Sequence, residues 1–189
     1  MGRSRQTAFV FRTWGGKRKG AGRKRKDGGT QKGVTHRPRP SLARRLPVHV
    51  TMRMHEHVCN LRTRRCFQVL ERAFMKGGNR FGFRLIHYAV MGNHIHLLVE
   101  AEDRRALSRG MQGLSVRIAR ALNVVMKRRG TVLADRYHAR ILRTLAEVRN
   151  VRNYLLGNAH HLYGLVGPDP FASKTPVTRP QTWLARQTC

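Results

Sequence analysis

The chain has 189 residues, 40% of them hydrophobic, enough for one modest core flanked by tails. Thirty-nine Lys and Arg stand against nine Asp and Glu, a formal net charge of +30. Self-repulsion on that scale opposes a compact state unless a polyanion answers it, so nucleic acid is the expected partner and an anionic membrane surface the weaker one. No apolar run approaches the ~20 residues of a membrane span, so no membrane partner is expected, and no signal peptide is expected at Met1.

Residues 1–45 carry fifteen of the Lys and Arg and a single acid, Asp27. The Gly- and Lys-rich stretch 15–33 has no apolar period and cannot bury enough surface to offset its ordering entropy. It reads as a disordered basic arm whose Lys17, Arg18, Lys19, Arg23, Lys24, Arg25 and Lys26 contact DNA phosphates without reading sequence. Alternation of Leu46, Val48, Val50 and Met52 predicts a strand over 46–54. A helix is expected over 58–76, with Cys66, Val69, Leu70, Ala73 and Phe74 on its buried stripe and Gly77, Gly78 and Asn79 as its stop. Two strands, 81–90 and 94–100, make a hairpin about Met91, Gly92 and Asn93. A long helix follows over 104–129, with Leu107, Met111, Leu114, Ile118, Leu122 and Val125 inward. A fourth strand is expected over 132–142. Thr144 and Glu147 form a T-x-x-E capping box that opens a last helix, with Val148, Val151, Leu155, Ala159 and Leu162 inward.

The order β-α-β-β-α-β-α is α+β: a ferredoxin-like core, an antiparallel sheet with helices on one face, plus a C-terminal helix that carries a tyrosine. The expected organisation is an arm (1–45), one folded domain (46–165) and an irregular tail (166–189). Cys59, Cys66 and Cys189 are an odd set without C-x-x-C spacing, which supports neither a zinc knuckle nor a disulfide framework. Cys59 and Cys66 read as small core residues of one helix in a reducing compartment.

Chemistry concentrates in two places. In a strand, His94 and His96 point to one face about 6.6 Å apart, close enough to share a metal ion, although two solvated polar residues would look the same. A second pair, His55 and His57, falls at a strand-to-helix junction and reads as a solvated turn. On the capped helix, Glu147, Asn150, Tyr154, Asn158 and His161 form a polar stripe. Tyr154 and Asn158 stand one turn apart, and an amide oxygen is a hard ligand suited to Mg²⁺ or Mn²⁺. Tyr137 is the competing nucleophile, but it has no oxygen ligand four residues on.

The segment His87-Tyr88-Ala89-Val90-Met91-Gly92-Asn93-His94-Ile95-His96-Leu97-Leu98-Val99 resembles the signature of the IS200-like single-tyrosine transposases, closest to the REP-associated tyrosine transposases. Ile95 supplies the bulky apolar residue of their HUH motif. Asn153-Tyr154-Leu155-Leu156-Gly157-Asn158 resembles their tyrosine helix, and Asp135-Arg136-Tyr137-His138-Ala139-Arg140 the strand before it. Gly92 replaces the proline often found in that loop. The resemblance covers roughly 46–165. It implies that His94, His96 and Asn158 bind Mg²⁺ or Mn²⁺ and that Tyr154 attacks single-stranded DNA at hairpin or palindromic repeats, leaving a 5′-phosphotyrosine. Arg136 and Arg140 are then expected DNA contacts. The implied protein is a monomer or homodimer acting on the nucleoid in the bacterial cytoplasm. Two other readings stay open: a domesticated hairpin-binding protein, and a replication initiator or relaxase with the same HUH chemistry. An RNA-binding sheet is disfavoured, because Phe81, Phe83 and Tyr88 do not form its paired-aromatic pattern.

Overall fold

A computed structural model describes residues 41–43, 46–164 and 166–182, without the side chains of 158–162. The arm cations at 17–26 lie outside the described residues. The elements run β1 (Val48–Arg53), α1 (Arg64–Gly77), β2 (Asn79–Arg80), β3 (Phe83–Val90), β4 (His94–Ala101), α2 (Arg104–Val125), β5 (His138–Ile141) and α3 (Leu145–Tyr163). The sheet order is β2-β3-β4-β1-β5, antiparallel throughout. Apart from the two-residue β2, this is the expected ferredoxin-like β-α-β-β-α-β core with one added helix. No helix among the described residues is long and apolar enough to cross a membrane.

The period of two along each strand sorts the residues onto two faces. Val48, Val50 and Met52 of β1 and Ile95, Leu97, Val99 and Ala101 of β4 join Leu70, Phe74, Met111, Leu114, Ile118 and Leu122 in one core beneath α1 and α2. A Cβ added at Gly110 of α2 would meet Phe83 Cγ at 2.1 Å, so only glycine lets this helix lie so close to β3. The opposite face holds a second cluster, with Ile86, Ala89, Met91 and Leu98 packed under Val148 and Leu155 of α3. In β3 the alternation changes phase. A register shift between Leu85 and His87 lets Phe83, Leu85, Tyr88 and Val90 all face the first core while Ile86 and Ala89 face the second.

Several boundaries differ from the sequence reading. The first helix begins at Arg64, not near 58. Asn60 Oδ1 accepts the Arg62 N–H at 2.9 Å and Gly92 O accepts the Leu61 N–H at 2.9 Å, so a side-chain turn takes the donors a helix would need. Thr63 then caps the helix, its hydroxyl accepting from the Cys66 N–H at 3.4 Å. Cys59 therefore sits in the loop, its Sγ 2.6 Å from that of Cys66, both as free thiols. After α1 the chain makes a tight hairpin, turning through Phe81 (φ 53°) and Gly82 (φ 73°). The long helix stops at Val125 instead of 129, because Lys127 turns left-handed at φ 51°. The fourth strand shrinks to His138–Ile141, since residues 132–134 instead bond to the end of β1 and the loop after it: Val132 O accepts the His55 N–H and the Ala134 N–H donates to Arg53 O, both at 2.9 Å.

Residues 166–182 are irregular yet docked. Their backbone continues the open edge of β3, with Val90 N–H donating to Phe171 O at 2.9 Å, Ser173 N–H to Tyr88 O at 3.0 Å and Val177 N–H to Ile86 O at 2.8 Å. Fully buried Glu100 takes Arg84 Nε at 3.1 Å and the N–H groups of Gln181 and Thr182 at 2.9 Å each, the partners a buried carboxylate requires.

Candidate active site

β4 places His94 and His96 on the sheet face that carries α3, with ring centroids 4.8 Å apart. Each ring is held through Nδ1. His94 Nδ1 lies 2.8 Å from Asn93 Oδ1, and an amide oxygen only accepts, so Nδ1 carries the proton. His96 Nδ1 lies 3.2 Å from both His49 Nε2 and Thr51 Oγ1. Nε2 is then the nitrogen through which each ring can meet a divalent metal. Burial lowers the His96 pKa to about 3, helped by His94 and His49. Burial, and then Arg53, lower that of His94. Both rings are therefore neutral at neutral pH, as metal binding requires.

Among the described residues, no three His, Cys, Asp or Glu side chains cluster to hold a metal. An amide oxygen is a further kind of ligand for such an ion. Asn158 lies in α3 four residues after Tyr154, but its side chain is outside the described residues, as are those of His160 and His161.

α3 reaches this face because both its ends are tied down. At the start, the Thr144 hydroxyl accepts the Glu147 N–H at 3.1 Å and Glu147 Oε2 accepts the Thr144 N–H at 3.2 Å, the capping box read from sequence. At the end, the Tyr163 hydroxyl accepts the Gly92 N–H at 3.1 Å, in the turn just before His94. Arg62 braces that junction. It pairs with both oxygens of Asp169 at 2.9 Å and lies over the rings of Tyr163 and Phe171, 4.4 and 4.3 Å from their centroids. Between these anchors Val148 and Leu155 are fully buried. Tyr154, beside Leu155, is 45% exposed, with its hydroxyl 3.5 Å from His96 Nε2. The chain thus brings a phenol to its own histidine pair.

The other candidates fall elsewhere. Tyr137 packs against the α1/α2 core, on the far side of the sheet from the histidines. His55 and His57 stack in the loop after β1, where His57 Nε2 bonds Thr131 O at 3.1 Å, the solvated turn expected there. Arg140 Nη2 contacts Glu147 Oε1 at 2.8 Å, so this expected DNA contact is paired with the helix cap. Arg136 is exposed in the segment before β5.

Three residues not singled out from sequence share the histidine face: His49, Thr51 and Arg53. Thr51 is directly opposite His96 in the ladder, Arg53 opposite His94, and His49 one pair further along. Their signal was the polar phase of β1, usable only once β1 is known to lie beside β4. A groove of about 900 Å³ between α1 and α2, lined by Val69, Phe81, Val116 and Arg120 among others, includes none of these site residues.

The family model for IS200-like transposases matches residues 43–158. Among solved structures, a REP-associated tyrosine transposase bound to a REP hairpin aligns with 75% of this chain and 83% of its own, at 14% identity and a TM-score of 0.60. A transposase-like protein from Deinococcus radiodurans R1 aligns with 58% of this chain and 87% of its own, at 15% identity and a TM-score of 0.41. No curated protein sequence matches the chain.

Proposed function

The chain belongs to the IS200-like transposase family, and from that premise we propose that it cuts and rejoins single-stranded DNA at hairpin or palindromic repeats through a covalent bond between Tyr154 and a 5′ phosphate. The carrying observation is the phenol of Tyr154 standing 3.5 Å from Nε2 of His96, the ring nitrogen opposite the one that meets His49 and Thr51. Single-stranded DNA also suits the +30 charge, and the hairpin bound by the REP-associated transposase supports that form of target.

His94, His96 and Asn158 would hold a Mg²⁺ or Mn²⁺ ion. When bound, that ion supplies Lewis-acid polarisation of the scissile phosphate. The protein's own groups do the rest. Arg53, exposed and opposite His94, and the arm at 17–26 attract the phosphate backbone. α3 holds the Tyr154 oxygen in place, so attack needs little reorganisation. The Tyr154 oxygen bonds phosphorus and loses its proton to water. The P–O3′ bond breaks and the 3′ oxygen leaves as a hydroxyl, taking a proton from water. Attack by another 3′ hydroxyl on the phosphotyrosine reverses these steps and rejoins DNA, so no nucleotide cofactor is consumed.

Tyr154→Phe keeps the ring and its packing and removes the nucleophile. With a labelled single-stranded repeat and Mg²⁺, a denaturing gel should show the covalent adduct for wild type and none for Tyr154→Phe, with hairpin binding retained. An adduct that persists in Tyr154→Phe and vanishes in Tyr137→Phe would overturn the assignment. His94→Ala and His96→Ala should each lose metal-dependent cleavage while remaining folded, since an incomplete ligand set binds metal weakly.

A further inference from the structure

We propose that His49 is a positioning residue of the metal centre: with Thr51 it receives the Nδ1 proton of His96 and so holds His96 Nε2 toward the metal and Tyr154. This rests on the metal reading above, and His49 acts in it through His96.

The geometry separates His49 from the ligands themselves. Its Nε2 lies 3.2 Å from His96 Nδ1, the ring nitrogen other than the one that faces Tyr154. The two imidazoles stack with centroids 5.3 Å apart and planes 30° from parallel, and His49 also meets the Tyr154 ring edge-on at 6.4 Å. His49 thus fills the space behind His96 and blocks rotation of that ring. Thr51 Oγ1 offers a second acceptor at 3.2 Å.

A buried imidazole has two tautomers, and only the Nδ1–H form presents a lone pair at Nε2. His96 is only 6% exposed, so water is poorly placed to select the tautomer and protein acceptors must do so. The supporting strand is rigid. Val48 and Val50, on either side of His49, are fully buried in the α1/α2 core. The acceptor is therefore anchored independently of α3, and it sets the His96 ring wherever the tyrosine helix stands.

The test uses the full chain as wild type, His49→Phe, His49→Gln, Thr51→Val and the double variant His49→Phe/Thr51→Val. Mn²⁺ affinity is read by calorimetry, and the His96 tautomer by nitrogen-15 NMR of the metal-free protein. Phe keeps the ring but has no lone pair, whereas the Gln amide oxygen restores an acceptor. Losing a group that orients a metal ligand typically weakens metal binding about 10- to 100-fold, so His49→Phe should lose about tenfold, His49→Gln should recover most of it, and the double variant should lose the most. Wild-type His96 should be the Nδ1–H tautomer, and the double variant should shift toward Nε2–H. Unchanged Mn²⁺ affinity in the folded double variant overturns the proposal, as does an Nε2–H tautomer in wild type. Should the double variant not fold, the ratio between His49→Phe and His49→Gln decides, and equal affinity of those two overturns it. A wild-type chain that binds no Mn²⁺ overturns the metal reading and this proposal with it; the two failures are told apart because there the unmutated protein itself fails.

Discussion

Toward α1 and α2, strands β1 and β4 present Val48, Val50, Met52, Ile95, Leu97 and Val99, none more than 1% exposed. Toward α3, the same strands present His49, Thr51, Arg53, His94 and His96, with Leu98 and Glu100 further along. Among the described residues, twenty-five buried apolar groups form the first layer and eight the second. A step of one residue along a strand thus separates stability from chemistry. Polar ties also hold α3 at both ends: the capping box, the Tyr163–Gly92 bond and the Arg62–Asp169 pair beside it.

Leu97 and Leu98 test that division most sharply, being adjacent, fully buried and on opposite faces. Leu97→Ala should cost about 4 kcal/mol, toward the top of the usual range for a buried leucine, because the thick core cannot collapse around the hole. Cleavage by the folded fraction should be near wild type. Leu98→Ala should cost about 2 kcal/mol, because α3 can settle, yet single-turnover cleavage should fall more than tenfold as Tyr154 moves with the helix. Urea titration and rapid-quench cleavage of both variants measure this. The division is refuted if Leu97→Ala is the one that loses cleavage.

The sequence shows most of this architecture because its signals are local. The H-x-H pair needs only the period of a strand, and the start of α3 needs only Thr144 and Glu147. What it hides depends on partners far along the chain. The phase change in β3 exists because Tyr88 and Val90 must reach the core below α1, and nothing between 83 and 90 marks the extra residue. The loop 54–63 resembles a helix start until Leu61 is seen to bond Gly92. His49 looks like any solvated strand histidine until β1 lies beside β4. The tail has the glycines and prolines of loose chain, yet Glu100 and the β3 edge bind it.

Acid should distinguish the faces next. His87 sits on the α3 side, 2% exposed, with Nδ1 3.0 Å from Ser173 Oγ. Burial, and then Arg152, lower its pKa to about 4 from 6.5. A histidine lowered on folding binds fewer protons when folded, so its contribution is full above pH 6.5 and is lost as pH falls toward 4. The difference is about 3 kcal/mol, at 1.36 kcal/mol per unit. His49, His94 and His96 are lowered too and steepen the same slope. On the other side, Tyr88 and Cys59 are pushed up to about 12, mainly by burial, and do not titrate in this window. Urea titrations at pH 7.5, 5.5 and 4.5 should show stability falling with acid, and His87→Gln should flatten the curve. An equal slope in both proteins would remove His87 from the account.

The smallest expected effect isolates the tie at the start of α3. Thr144→Ala removes the hydroxyl that accepts the Glu147 N–H and leaves a helix-start donor without its protein partner. Such a cap is worth about 1 kcal/mol. Glu147 should still accept from the N–H groups of Thr144 and Arg143, at 3.2 and 2.7 Å, so half of the reciprocal box survives and the helix frays without detaching. The loss should be local. Amide exchange should quicken in the first turns of α3 and stay unchanged in α1 and α2, whose N-caps are Thr63 and Asp103. Cleavage should fall only a few-fold, since Leu155 and the Tyr163–Gly92 bond still hold the helix beyond Tyr154. Faster exchange across α1 and α2 as well would mean that the sheet transmits the change, and that the two faces unfold as one unit.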